Sequence, residues 1–203
     1  MGVRERRERQ RESLRQEILD AAREMFLAEG YERVSMRRIA EKIEYSPTTI
    51  YLHFRDKADL FHHLCEETFA KLLDVHSRLA KTEGDPVELL RKGLRAYVDF
   101  GLAYPNHYTL SLIVPQPPGA HAGEMAEASP TGDASFDFLR RAVANCTGSG
   151  AFRPCDVETV SQSLWSAVHG VTSLLISHPE FPWVDREALI DTTIDTMIRG
   201  LVA

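Results

Sequence analysis

A chain of 203 residues is long enough for one large domain or a small one followed by a larger one. The net charge of −6 argues against a partner as acidic as nucleic acid for the chain as a whole. The charge is unevenly spread, however: residues 1–57 hold 13 Lys/Arg and 11 Asp/Glu, giving +2, and residues 58–203 hold 11 and 19, giving −8. Three unpatterned cysteines, Cys65, Cys146 and Cys155, fit a reducing compartment and exclude a disulfide framework.

The first dozen residues are mostly Arg, Glu and Gln and read as a flexible arm. Its charged start predicts no signal peptide. Ile18, Ala21, Ala22 and Met25 then keep helical spacing, with Phe26 beside them, and Gly30 closes that helix. Ser35 is a start signal for a short helix whose apolar face is Ile39, Ala40 and Ile43. After a turn of about three residues, Ser46 followed by Pro47 starts a second, with Ile50 and Phe54 four apart. Two helices this short must dock on neighbours. What stays outside is Pro47, Thr48, Thr49, Tyr51, His53 and Lys57, side chains suited to base edges and phosphates. This is a helix-turn-helix reading head.

Asp56 caps a long helix with apolar positions Phe61, Leu64, Cys65, Thr68, Phe69 and Leu72, expected to end near Gly84. Asp85-Pro86-Val87-Glu88 combines an N-cap, a Pro at the first helical position and a capping-box Glu, and starts a helix running to about Tyr104. Pro105-Asn106 restarts a short helix. Pro115 to Asp133, rich in Pro and Gly, reads as one long loop. Phe136, Leu139 and Val143 mark a helix ending before Gly148. A long helix follows from Cys155 or Asp156 to about Ser177, and a last one, capped by Asp185, carries Ile190, Ile194, Met197, Ile198 and Leu201. The most apolar window, Leu164 to Ile176, is 13 residues long and contains His169, too short and polar to cross a bilayer. The fold class is all-α, and the chain is expected in the cytoplasm.

Residues 35 to 57 resemble the signature of the TetR family of transcriptional regulators. Ser35 stands at its Thr/Ser, Ile39-Ala40 at its Ile-Ala pair, Tyr51 at its Tyr, His53-Phe54 at its His-Phe and Lys57 at its Lys. Two positions depart: Glu44 stands where the family usually has Gly, and Tyr45 where it has a small apolar residue. Glu44 in a left-handed turn implies strain. Trp165 with His169-Gly170 resembles the Trp-His-Gly pattern of one C-terminal domain type of that family.

The resemblance implies an N-terminal three-helix DNA-binding domain (1–57, with the arm) joined by a long helix to a helical effector-binding and dimerisation domain (58–203). The implied function is that of a repressor released from a palindromic operator by a small molecule. The DNA-binding residues are then Ser35, Arg37, Ser46, Pro47, Thr48, Thr49, Tyr51, His53 and Lys57. Thr48 and Pro47 face bases; Tyr51, His53 and Lys57 hold phosphates. Arg4, Arg6, Arg7, Arg9 and Arg11 of the arm are placed to enter a neighbouring minor groove. Specific affinity near ~10⁻⁸ M usually takes two heads, so a homodimer is expected, built on helices 156–177 and 185–202. Tyr97, Phe100, Tyr104, Tyr108, Leu112, Trp165 and His169 are candidates to line an effector cavity.

Each residue also has a plainer reading. Tyr51 can pack under the motif, His53 can end a helix with no partner, and Lys57 can pair with Asp56 in solvent. The seven aromatic and apolar candidates can be ordinary core. No metal or cofactor is expected: His62 and Cys65 lie on one helix face without a further ligand. No spacing of nucleophile, base and acid points to an enzyme. The competing class is a helical small-molecule-binding or interaction protein that does not use DNA.

Overall fold

The computed structural model describes residues 2–115 and 130–203, and among these it is helical, with one isolated antiparallel bridge between Phe152 and Val202. The order is α1 (Val3–Glu29), a 3₁₀ turn (Tyr31–Arg33), α2 (Met36–Lys42), α3 (Pro47–Tyr51), α4 (Lys57–Leu79) and α5 (Pro86–Ala103). Then come α6 (Pro105–Tyr108) with a π turn (Thr109–Ile113), α7 (Pro130–Gly148), α8 (Val157–Ser177) and α9 (Arg186–Arg199). No described helix is long and apolar enough to cross a membrane.

Short polar side chains start these helices where the sequence places them. The carboxylates of Asp85, Asp156 and Asp185 accept from the amides of Glu88, Thr159 and Ala188 at 3.0, 2.8 and 2.9 Å. Asp56 accepts from Asp59 N at 2.8 Å. Each bond satisfies an amide that the first helical turn leaves without a carbonyl, a contribution of about 1 kcal/mol apiece.

Four boundaries differ from expectation. The arm is helical back to Val3: Glu5 accepts from the Gly2 amide at 3.0 Å and Arg4 pairs with Glu8 at 3.1 Å. Arg, Glu and Gln are good helix formers, so these residues extend α1. α4 stops at Leu79, before Gly84, because Lys81 and Thr82 donate three residues back, to Arg78 and Leu79, and tighten the chain out of the α-helix. The segment after Pro105 opens into a π turn, with Val114 N donating to Thr109 O at 2.8 Å. α7 begins at Pro130 and runs through Gly148, so the last residues assigned to the long loop, Thr131 to Asp133, are helical. Residues 116–129 of that loop lie outside the described residues.

The chain divides into two compact units. The first holds residues 2–67 and 106–115, the second 68–105 and 130–203, and the division falls within α4. In the first, Ile18, Ala22, Phe26, Ile39, Ala40, Ile50, Phe54, Leu60, Phe61 and Leu64 are buried. Phe26, Tyr31 and Phe61 pack as mutual neighbours with ring centroids 5.4–5.7 Å apart. Arg23 of α1 is buried against Asp20 at 2.7 Å and Glu67 of α4 at 2.6 Å. Losing both carboxylates would strand the buried guanidinium, typically at about 3–5 kcal/mol.

In the second unit α5, α7, α8 and α9 pack on one another. Its core is Leu90, Leu94, Tyr97 and Val98 of α5, Leu164, Val168 and Leu175 of α8, and Ile190, Ile194 and Ile198 of α9. On the rim, Arg91 pairs with Asp195, and Arg95 with Glu187 and, at 3.2 Å, Asp191, stitching α5 to α9.

Candidate nucleic-acid interface

α2 is held at both ends by local bonds. Ser35 Oγ accepts from Arg38 N at 3.3 Å. At the other end Glu44 N donates to Glu41 O at 3.3 Å and Tyr45 N to Ala40 O at 3.0 Å, the two bonds of a Schellman closure. That closure needs a left-handed residue at its centre, and Glu44 occupies it with φ 59°. Among the described residues no other non-glycine has positive φ. The sequence expectation of strain there is met.

α3 follows at once. Ser46 Oγ accepts from Thr49 N at 3.2 Å, and its hydroxyl meets Thr49 Oγ1 at 2.9 Å, while Pro47 takes the first helical position. Ser46 and Thr49 are therefore engaged with each other, and their first task is to build the helix start. Ile50 and Phe54 are 0 and 1 % exposed and fix the rotation of α3 about its axis. That rotation turns Pro47, Thr48 and Tyr51 outward, Tyr51 being 54 % exposed. Leu52, which the sequence reading passed over, is 70 % exposed beside it. The signal was available: Leu52 falls two residues from both buried positions.

The cationic side chains divide into free-standing and committed ones. Arg37 is largely exposed and makes only an i,i+4 pair with Glu41 at 2.9 Å. Arg38 is committed: its guanidinium grips both carboxylate oxygens of Glu29 at 2.6 and 3.0 Å and donates to Arg33 O at 2.9 Å. The pair holds the Glu29 carboxyl below its usual range, chiefly through the Arg38 hydrogen bond. Lys57 is committed as well. Its ammonium donates to the carbonyls of Tyr31 and Val34 at 2.9 and 3.1 Å and lies 4.1 Å from the Tyr31 ring centre. It ties the start of α4 to the segment before α2, rather than forming a solvated pair with Asp56.

His53 is half-buried, and its pKa is lowered by burial first and by Arg11 and Arg15 next. Positive charge on this ring is disfavoured by that burial and by the two arginines. Arg15 also lies over the Phe54 ring, 5.3 Å from its centre. Because α1 is helical through this region, Arg11 and Arg15 come to the far end of the head. A flexible arm would have left them unplaced.

The seven effector candidates do not share one unit. Tyr97, Phe100, Tyr104, Trp165 and His169 belong to the second, whereas Tyr108, fully buried, and Leu112 belong to the first. Three of the five are hydrogen-bonded in series: Trp165 Nε1 donates to Tyr97 Oη at 3.1 Å, and Tyr97 Oη meets His169 Nδ1 at 3.1 Å. Phe136 packs edge-on against Trp165 with centroids 5.8 Å apart. Among the described residues no three His, Cys, Asp or Glu side chains group as a metal site, and Cys65, Cys146 and Cys155 form no disulfide.

Residues 18–64 match the family model of bacterial regulatory proteins of the tetR family, and residues 90–199 that of the tetracyclin repressor-like C-terminal domain. The HTH-type transcriptional repressor AcnR of Corynebacterium diphtheriae is 43 % identical over 61 residues, covering 30 % of this chain and 32 % of that one. The chain thus spans about a third of the length of the first curated relatives it matches. The HTH-type transcriptional activator FasR of Mycolicibacterium smegmatis is 28 % identical over 139 residues, covering 64 % of this chain and 61 % of that one. Among solved structures, a tetR-family regulatory protein from Rhodococcus RHA1 superposes with a TM-score of 0.77 at 19 % identity, over 93 % of this chain and 97 % of that one. A Rhodococcus sp. RHA1 protein of unknown function gives 0.75 at 26 % identity over 94 % and 96 %. The second family model alone spans more than half of the chain. This chain belongs to the TetR family.

Proposed function

We propose that the protein is a sequence-specific DNA-binding transcriptional regulator. In this reading α3 enters the major groove, Pro47 and Thr48 touch base edges, and Tyr51 and Arg37 hold phosphates on either side. The observation that carries it is the rotation of α3. Ile50 and Phe54 are buried, and polar and aromatic side chains of the kinds that contact DNA are left on the opposite face of a capped five-residue helix. Ser35 and Ser46 serve that face by fixing the two helix starts, where backbone amides also favour a phosphate. Lys57 keeps a third ammonium hydrogen for a phosphate after its two carbonyl bonds.

The regulator works as a homodimer on a palindromic operator. Support comes from one face of α8, where Ser163, Ser166, Ala167, Gly170, Ser173 and Leu174 recur at helical spacing. Leu174 is 46 % exposed in the single chain, and a side chain added at Gly170 meets nothing within 4 Å. A small-molecule effector binds the second unit and favours the conformation that does not bind DNA. Both a repressor and an activator occur among the relatives, and repression is the reading we adopt from the repressors that match the head. Three cysteines outside any disulfide suit a cytoplasmic protein.

Selection of bound sequences from a random DNA pool, followed by anisotropy titration at several salt concentrations, tests this reading. Enrichment of a palindrome and saturable, salt-sensitive binding support it. Weak binding that is equal on every sequence would favour the helical binding protein without a DNA role.

A further inference from the structure

Among the described residues of the second unit, two buried polar side-chain atoms have no hydrogen-bond partner. His76 of α4 is 5 % exposed, and Ser135 of α7 is 6 % exposed. Neither His76 Nδ1 nor Ser135 Oγ has a hydrogen-bond partner. The two residues are tied through Phe138: the His76 ring stacks on it, with centroids 4.6 Å apart and planes within 6° of parallel. Phe138 lies one turn after Ser135 on the same side of α7.

α5 completes the arrangement. His76 gives its other ring hydrogen to the Gly93 backbone. A Cβ at Gly93 would come within 3.1 Å of Phe138 Cε1, so glycine is what lets the ring stack sit against α5. With Nε2–H engaged, Nδ1 carries a bare lone pair. Burial pushes the ring's pKa down to about 4, so it is neutral at pH 7 and offers no charge to balance an anion. Ser135 adds a hydroxyl that gives or takes one bond.

Native interiors leave few buried polar groups unpaired, and two of them, one in a ring stacked on Phe138 and one a turn before Phe138 on α7, point to something that pairs them. The Tyr97–His169–Trp165 series is different: its tyrosine hydroxyl already accepts from one ring and faces the nitrogen of the other.

We propose that His76 Nδ1 and Ser135 Oγ are the polar anchors of the effector site, and that the effector is a neutral, largely apolar molecule bearing a hydroxyl. The hydroxyl hydrogen goes to His76 Nδ1, its oxygen accepts from Ser135 Oγ, and the apolar body lies along Phe138. This rests on the effector-binding reading above. A carboxylate is disfavoured there, because the neutral His76 ring supplies no charge to balance it and an unpaired buried anion is costly.

The test uses the full-length protein and para-alkylphenols from methyl to hexyl, with the matching methyl ethers and benzoates, measured by calorimetry and thermal shift. The phenols should bind, the ethers about tenfold more weakly, and the benzoates least. His76→Phe keeps the ring stack and removes the acceptor; it should lower phenol affinity to that of the ethers and leave the ethers unchanged. Ser135→Ala, a milder change, should reduce phenol affinity in the same direction. Equal affinity for phenols and ethers, or phenol binding untouched by both variants, overturns the proposal while an effector site of another chemistry stands. Binding of none of the phenols overturns it too. The broader reading fails only if no compound in a general library releases the selected DNA.

Discussion

The amide of Tyr45 donates to the carbonyl of Ala40 at 3.0 Å across the left-handed Glu44. With the Glu44–Glu41 bond it closes α2, one residue before Ser46 starts α3. The family resemblance expects glycine at the centre of that turn. A side chain there costs roughly 1 kcal/mol, because Cβ crowds the following carbonyl.

Glu44→Gly should therefore raise stability by about 0.5–1 kcal/mol, after the extra freedom that glycine gives the unfolded chain is subtracted. Glu44→Ala, with the same φ and a Cβ, should not. Urea midpoints of the three proteins check this. Equal gains from Gly and Ala would mean that the carboxylate, not the backbone, is the source. Both variants also remove a negative charge from an exposed turn beside the reading face and should tighten DNA binding.

Lys57→Met keeps most of the side-chain stem and removes two charged hydrogen bonds to the Tyr31 and Val34 carbonyls. We predict a loss of about 1.5–3 kcal/mol in stability. Tyr51→Ala, exposed and uninvolved in the core, should change stability by under ~0.5 kcal/mol yet weaken binding to all DNA sequences alike. A stable Lys57→Met protein would return Lys57 to a purely DNA-facing role.

Thr48→Ala should shift the preferred base at one position in each half-site by ~1 kcal/mol, about tenfold or less per position, with little change in non-specific affinity. Repeating the random-pool selection with the variant reads this directly. An unchanged motif with uniformly weaker binding would move Thr48 to the phosphate contacts.

Gly170→Arg places a long side chain where the single chain has open space, and Arg is the better helix former. The thermal midpoint of the folded chain at low concentration should hold or rise. Sedimentation should report a monomer, and binding to the palindrome should fall to the level of a single half-site. A variant that remains dimeric at micromolar concentration would remove this face of α8 from the interface.

His76 makes stability depend on pH. Its folded pKa of about 4 lies below the ordinary 6.5, so the unfolded chain binds more protons between those values. The stability is fully present above pH 6.5 and declines as the pH falls toward 4, by about 3 kcal/mol in all. His76→Phe should flatten that part of the urea-midpoint profile. A wild-type profile already flat from pH 6.5 to 4 would contradict the burial of a neutral ring.

Helix starts and buried faces were legible because they depend on neighbours three or four residues away. Ser35, Ser46, Asp56, Asp85 and Asp185 cap as read, Asp156 rather than Cys155 starts its helix, and Ile39, Ala40, Ile50 and Phe54 are all buried. The fate of the cations was not legible. Lys57 finds carbonyls 23 and 26 residues back, Arg38 finds Glu29, and Arg23 finds Glu67, 44 residues on. No local pattern encodes those pairings. The arm was misread because its composition suits both a disordered tail and an extended helix; continuity with α1 decides for the helix. His76 and Ser135 were passed over because one unpaired atom in a core leaves no periodic trace.

The five residues of α3 are too few to hold a helix by their own hydrogen bonds. Its shape is borrowed from Ser46 at one end and from the pocket around Ile50 and Phe54. Outward positions contribute almost nothing to that support. Pro47 aside, Thr48, Tyr51 and Leu52 can thus be exchanged as a set while the scaffold stays as it is, so that operator preference and thermal stability are free to drift independently among descendants of this chain.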